Sequence, residues 1–337
     1  MSSVNPSVNS IEVDRLCKTY PVALKSAGLV NTLRHFFQRR YRYIEAVKPL
    51  SFTIAPGEIV GFLGPNGAGK TTTLKMLTGL IHPSSGSARI AGHEPFRRES
   101  TLLRQISLVM GQKQQLIWDL PAIDSLTINA AVYGLSDRET QERIDTLSEM
   151  LGVRDQLTQP VRKLSLGERM KAELLAALLH YPKILFLDEP TLGLDVNAQI
   201  AIRQFLKDYN DRFAATILLT SHYMADITAL CQRVLVIHQG QLIYDGGLDA
   251  LVEQVAPWRE VHLDLENAAD LEVFQTGNCP YGQVETIDGL SVRLLVDRET
   301  LTQTISQLLT QFQILDLSIS DPPIEEVIGR VFQDGTH

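Results

Sequence analysis

The sequence predicts an α/β protein. Residues 1–250 read as a largely parallel sheet covered by helices, with a helical subdomain inserted at about 113–180, and a small α+β domain follows at 251–337. The short apolar runs Ile59–Leu63, 184–187 and 216–219 lack polar alternation, as central strands covered on both faces do. Between the first two, residues 123–180 switch to helical periodicity, with Glu and Lys spread among Leu and Ala at 168–180. Past Gly246 and Gly247 the order becomes strand, helix, strand, strand, helix, strand. These strands fall near 259–265, 281–286, 290–296 and 312–318, ahead of a last helix at 324–332, which is a ferredoxin-like order.

The chain has 337 residues, 44% hydrophobic and 21% charged, which suits about two domains and excludes a disordered or fibrous chain. The 39 Asp and Glu against 31 Lys and Arg leave a formal charge of -8, arguing against an electrostatic grip on nucleic acid. No apolar run approaches the roughly 18–20 residues of a membrane-spanning helix, and residues 1–10 lack the order of a signal peptide, so a cytoplasmic protein is expected. Cys17, Cys231 and Cys279 are odd in number and far apart, which fits reduced structural thiols better than a disulfide framework or a zinc cluster.

Residues 21–44 stand apart. They hold Lys25, Arg34, Arg39, Arg40 and Arg42 and no acid, while Leu29, Leu33, Phe36, Phe37, Tyr41 and Ile44 recur at roughly helical spacing. This predicts a basic amphipathic helix, resting on its own domain or at the inner membrane surface, where cations meet anionic lipid.

Gly64-Pro65-Asn66-Gly67-Ala68-Gly69-Lys70-Thr71 follows an apolar strand and leads into a helical stretch at 72–80. This is a P-loop. Its glycines let successive backbone N–H groups wrap phosphate oxygens, and the helix N-terminus, with Thr72, adds its positive dipole end. Lys70 reaches the outer phosphates and the Thr71 hydroxyl completes a magnesium shell. Downstream, 184–187 ends in Asp188 and Glu189. Neighbouring strand side chains point opposite ways, so Asp188 can hold magnesium through water while Glu189 polarises the water that attacks the γ-phosphate.

The ordered set of GPNGAGKT at 64–71, Gln112, LSLGE at 164–168, ILFLDEP at 184–190, Leu194-Asp195 and Ser221-His222 resembles the ATP-binding cassette (ABC) ATPases over residues 11–250. The resemblance implies an ATP- and Mg2+-dependent ATPase that works as a head-to-tail homodimer, each ATP lying between one P-loop and the partner's signature loop. It gives Gln112 the role of sensing magnesium and γ-phosphate, with Gln114 and Gln115 as alternatives. Ser165 and Gly167 would donate to the γ-phosphate across the dimer, and His222 would hold the attacking water in line. Asp195 would belong to the loop that meets the partner subunit, and Tyr20 would stack on adenine, with Tyr41 and Tyr43 as alternatives because of the insertion. Leu166 stands where the family usually has glycine and Glu168 where it has glutamine, which raises the question of a positive φ at 166; the departure is expected to be tolerated, since Ser165 and Gly167 remain.

The layout is similar to the exporter branch whose ATPase is a separate chain with a C-terminal extension. That implies integral membrane permease subunits as partners, a position on the cytoplasmic face of the membrane, and a dimerising or regulatory role for the C-terminal domain. The alternative is a soluble single-cassette ATPase of assembly or repair. Long coiled coils between P-loop and Asp188, and a second P-loop, would mark its main forms, and neither is present in the sequence. The transported substrate touches the permease and is not readable here.

Overall fold

A computed structural model describes residues 9–23, 41–111, 114–275 and 279–334, which fall into two units, Met1–Gly246 and Gly247–His337. The strands of the first unit are β1 (Ile11–Ala23), β2 (Tyr41–Ile54), β3 (Ile59–Leu63), β4 (Ser85–Ile90), β5 (Ile106–Met110), β6 (Ile184–Asp188), β7 (Thr216–Thr220), β8 (Arg233–His238) and β9 (Gln241–Gly247). Six of them form one sheet in the order β5-β6-β7-β3-β8-β9, and the first five of that order run parallel. Strand β9 returns from β8 through the two-residue turn at Gln239 and Gly240, a connection open only to antiparallel neighbours. Phe62, Phe186, Leu185 and Leu218 are all fully buried, because both faces of this sheet are covered.

Strands β2, β1 and β4 make an antiparallel sheet. Its Ile11, Leu16, Val47, Phe52 and Ile90 share one core with Val60 and Phe62 of β3 and with Leu74 and Leu77 of helix Lys70–Leu77. The two sheets thereby clamp the helix that follows the glycine-rich loop. Here the structure departs from the expected amphipathic helix at 21–44. Pro21 pairs with Tyr43, Val22 with Arg42 and Ala23 with Tyr41, so both ends of the segment are extended. Tyr41, Tyr43 and Val22 are strand formers, and their pairing between β1 and β2 sets the backbone at both ends of the segment. Residues 24–40, with Lys25, Leu29, Leu33, Arg34, Phe36, Phe37, Arg39 and Arg40, lie outside the described residues.

Helices Ala122–Tyr133, Asp137–Leu151 and Leu166–Leu178 lie between β5 and β6 in the chain. The second starts with a capping box in which Ser136 and Glu139 bond each other's backbone N–H, and it ends at Gly152 with φ 59°. Leu126, Ala130, Ile144, Leu147, Leu174 and Leu175 form the buried faces. His180 closes this bundle. Its ring stacks on Tyr133 at 3.8 Å, its Nε2 donates to the Ile106 carbonyl at 3.2 Å, and its buried Nδ1 has no partner. Burial lowers its pKa from 6.5 to about 4. A base depressed in the fold supports stability fully above pH 6.5, and that support is lost as pH falls towards 4, because only the unfolded chain takes the proton. Stability to denaturant is therefore expected to drop by about 2 kcal/mol from this group between pH 7 and pH 5. His180→Phe, which keeps a ring against Tyr133, should remove that part of the pH dependence in denaturant titrations at the two pH values. An unchanged slope would reject the assignment.

The second unit carries β10 (Trp258–Leu265), β11 (Gln283–Asp288), β12 (Ser291–Asp297) and β13 (Ile314–Ser320) in the antiparallel order β11-β12-β10-β13. With helix Leu301–Gln311 joining β12 to β13, this is the ferredoxin-like arrangement, first and third strands central. Val261, Leu263, Val292, Leu294 and Leu308 bury one face. Cys17 and Cys231 are buried free thiols and Cys279 is a half-buried one. No helix among the described residues is long and apolar enough to cross a membrane.

Candidate functional site

The loop 64–71 leaves the C-terminal end of β3, where parallel strands of an open α/β sheet present their binding crevice. Two glycines make the tight curve possible. A Cβ at Gly64 would lie 2.3 Å from the Ile237 carbonyl oxygen, and one at Gly69, with φ 109°, would lie 2.6 Å from that of Ala46. Pro65, Asn66, Gly67 and Ala68 complete the loop, which is pinned from outside by the Gly240 N–H donating to the Ala68 carbonyl at 3.0 Å. Lys70 and Thr71 open helix Lys70–Leu77, with Thr72 behind them. Lys70 is 7% exposed, and its Nζ donates to the Gly64 and Pro65 carbonyls at 2.5 and 3.1 Å. Burial lowers its pKa, opposed by the nearby charges of Glu189 and Asp188.

Strand β6, adjacent to β7 and one strand removed from β3, brings its carboxylates to the same crevice. Thr71 Oγ1 donates to Asp188 Oδ2 at 2.8 Å, and Thr220 Oγ1 at the end of β7 donates to Asp188 Oδ1 at 2.7 Å. Glu189 then turns away from the strand with φ 56°, a strained conformation for a residue with a side chain. Its backbone N–H is held by the Thr220 carbonyl and hydroxyl, each at 3.1 Å. Its Oε1 lies 2.8 Å from Nε2 of His222. Lys70, Thr71, Asp188, Glu189 and His222, far apart in the chain, are thus one connected cluster. Thr71 and Asp188 present only hydroxyl and carboxylate oxygens, a hard donor set that fits magnesium, which takes few protein ligands and keeps water and substrate oxygens for the rest.

Gly111 meets this cluster through its N–H, which donates to the Asp188 carbonyl at 3.0 Å. Gln112 lies outside the described residues, while Gln115 N–H donates to the buried carboxylate of Glu173 at 2.7 Å. Ser165 is the N-cap of helix Leu166–Leu178, its hydroxyl accepting from Glu168 N–H at 3.2 Å while the Glu168 carboxylate accepts from Ser165 N–H at 2.9 Å. Glu168 in place of glutamine therefore completes a capping box, and those bonds lower its pKa. Leu166 is the first helical residue and has no positive φ, so the missing glycine introduces no backbone strain. A Cβ built at Gly167 would approach only Ala198, on helix Val196–Phe213, whose N-cap is Asp195 accepting from Ala198 N–H at 2.9 Å. Ser165, Gly167 and Asp195 thus belong to a second group, packed around that helix rather than on the P-loop.

Tyr20 sits on β1 opposite Ile44, two residues before the Ala46 carbonyl that faces Gly69, and Lys18 Nζ lies 5.1 Å from its ring. Tyr41 and Tyr43, 43% and 69% exposed, pair with Ala23 and Pro21 and so share the face of the hairpin that Tyr20 does not. Thr220 and Glu173 were not visible as site residues in the sequence. The only hint of Thr220 was a hydroxyl at the tip of an apolar run, and of Glu173 an acid on an apolar helix face.

Residues 47–192 match the ABC transporter family, and residues 257–320 match the C-terminal domain of EvrA-like ABC transporters. The chain is 38% identical over 217 residues to the ABC transporter ATP-binding protein NatA of Bacillus subtilis, covering 64% of this chain and 88% of that one. It is 34% identical over 250 residues to the bacitracin transport ATP-binding protein BcrA of Bacillus licheniformis, covering 71% and 80%. A solved structure of the ATP-binding subunit of an ABC transporter matches with TM-score 0.60 and 27% identity, over 72% of this chain and 92% of that one. The P-loop, the carboxylate-tipped strand beside it and the extent of this likeness together make the chain a member of the ABC transporter ATP-binding proteins, a family of ATPases.

Proposed function

We propose that the chain is the ATP-hydrolysing subunit of a membrane exporter, that it works as a homodimer, and that it sits on the cytoplasmic face of the membrane through integral permease subunits. The observation that carries this is the division of the site into two groups. Lys70, Thr71, Asp188, Glu189 and His222 are joined by short contacts, whereas Gly167 faces Ala198. A second copy turned head to tail would bring its Ser165 and Gly167 to the first copy's triphosphate. The Ser165 hydroxyl uses a lone pair for capping, so its hydrogen is available to a phosphate oxygen. Leu166, Val196 and Ile200, at 42%, 67% and 52% exposure, give the group an apolar margin suited to a partner surface.

In the reaction, Lys70 exchanges its two loop carbonyls for outer phosphate oxygens, and the backbone N–H groups of 66–72 wrap the rest. Glu189 accepts the proton of the attacking water, and His222, held 2.8 Å from it, keeps that water in line. Thr71, Asp188 and Gln112 are the residues that would hold magnesium, which supplies charge neutralisation on the phosphates. Tyr20 is the proposed adenine platform. A groove of about 600 Å³ lined by Leu103, Leu108, Met110, Val132, Arg98 and Arg104 offers a permease an apolar seat. Relatives whose names state bacitracin transport and Nod factor export support the exporter reading.

Purification of tagged protein from membranes in mild detergent tests the proposal. An integral membrane protein should accompany the chain in stoichiometric amount, and the complex should hydrolyse ATP. Recovery of an ATPase-active chain with no membrane protein would overturn the exporter reading.

A further inference from the structure

Asp226, on helix Met224–Leu230, is 1% exposed and is the meeting point of three segments. Its Oδ2 accepts from the hydroxyls of Thr191 at 2.5 Å and Ser221 at 2.6 Å, and its Oδ1 accepts from Arg203 Nη1 at 2.8 Å. Thr191 stands two residues past Glu189, Ser221 immediately precedes His222, and Arg203 belongs to the helix that Asp195 caps. Ser221 Oγ also accepts from the Tyr223 N–H at 3.0 Å, so the turn carrying His222 is held on both sides. None of these contacts is to the P-loop. A charge this buried is costly unless paired, and here two of its three partners, Thr191 and Ser221, lie on the segments that carry Glu189 and His222.

We infer that Asp226, with Arg203, is a positioning residue for hydrolysis: it fixes the His222 turn against the segment leaving Glu189, so that the two reach the attacking water together. Asp226 touches no substrate. Its influence passes through His222 and leaves nucleotide binding alone. The inference rests on the reading of Glu189 and His222 as hydrolytic groups.

The test compares Asp226→Asn in the native and His222→Ala backgrounds, with ATP affinity measured separately from single-turnover hydrolysis. Misplacement of a reacting group by a fraction of an ångström to an ångström costs up to about 100-fold in rate. Asp226→Asn is therefore expected to lower kcat about 10- to 100-fold with ATP affinity unchanged. In the His222→Ala background it should lower kcat little further, because two changes acting through one group do not add. Should Asp226→Asn not fold, Thr191→Val, which removes one bond to Asp226, and Ser221→Ala, which removes its bond to Asp226 and the one it accepts from Tyr223 N–H, leave the Asp226–Arg203 pair in place and carry the same comparison, each with a smaller kcat loss that disappears in the His222→Ala background. An unchanged kcat, an equal loss in both backgrounds, or a loss explained by weaker ATP binding would overturn the inference. If His222→Ala and Glu189→Gln themselves hydrolyse ATP at the native rate, the underlying reading fails and takes the inference with it. If those two are impaired and Asp226→Asn is not, the inference alone fails.

Discussion

Glu189→Gln is expected to lower kcat by about 10²- to 10⁴-fold, the usual contribution of a positioned general base, and to leave ATP binding intact. The geometry separates the two effects. Asp188 is engaged with Thr71 and Thr220, and the backbone at 189 is held by Thr220, so the loop does not depend on the Glu189 carboxylate for its shape. That carboxylate meets Nε2 of His222, and a glutamine oxygen can accept from the same Nε2–H. Glutamine also bears the φ of 56° no worse than glutamate does. What disappears is basicity. With hydrolysis blocked and binding retained, the ATP-bound homodimer should accumulate. Phosphate release gives the rate, and size-exclusion chromatography in Mg-ATP gives the dimer. Turnover within tenfold of native would remove Glu189 from the role of base.

The parts of this site that are contiguous in the chain were legible in the sequence, because their chemistry is local. The turn at 64–71 announces itself through glycines and a lysine, and β6 through four apolar residues ending in two acids. The partners that hold those acids were not legible. Thr220 reaches Asp188 because β7 lies next to β6, and Asp226 reaches Thr191 from 35 positions away, so both depend on strand order that no periodicity encodes. The same blindness explains the ends of the basic segment. Tyr41 and Ile44 fit a helical spacing, but whether they extend is decided by pairing with β1, some twenty residues earlier in the chain. Leu166 is the reverse case. Its departure from the familial glycine left open whether the position needs a positive φ, which the survival of Ser165 and Gly167 argued against, and its place as the first residue of a capped helix asks for none.

Lys70→Met should abolish most of the nucleotide response without harming the nucleotide-free fold. The Lys70 ammonium is buried against two carbonyls of its own loop, and burial holds its pKa below the ordinary lysine value. A base depressed in the fold costs stability once the pH falls below its unfolded pKa, so at pH 7 this charge weighs against folding until a phosphate arrives. Methionine keeps most of the stem and removes the charge, and the unfolding midpoint without nucleotide is expected to hold or rise. Losing a charge-assisted bond to phosphate of about 2–3 kcal/mol weakens ATP affinity roughly 30- to 150-fold. With ATP at about 100 times the native Kd, binding stabilises the native protein by about 2.7 kcal/mol, and a 100-fold weaker variant by only about 0.4 kcal/mol. Denaturation with and without Mg-ATP reads both quantities in one experiment. A variant that loses stability in the absence of nucleotide would give Lys70 a structural role, whereas one that keeps the full ATP-induced gain would show that the triphosphate does not reach this lysine at all.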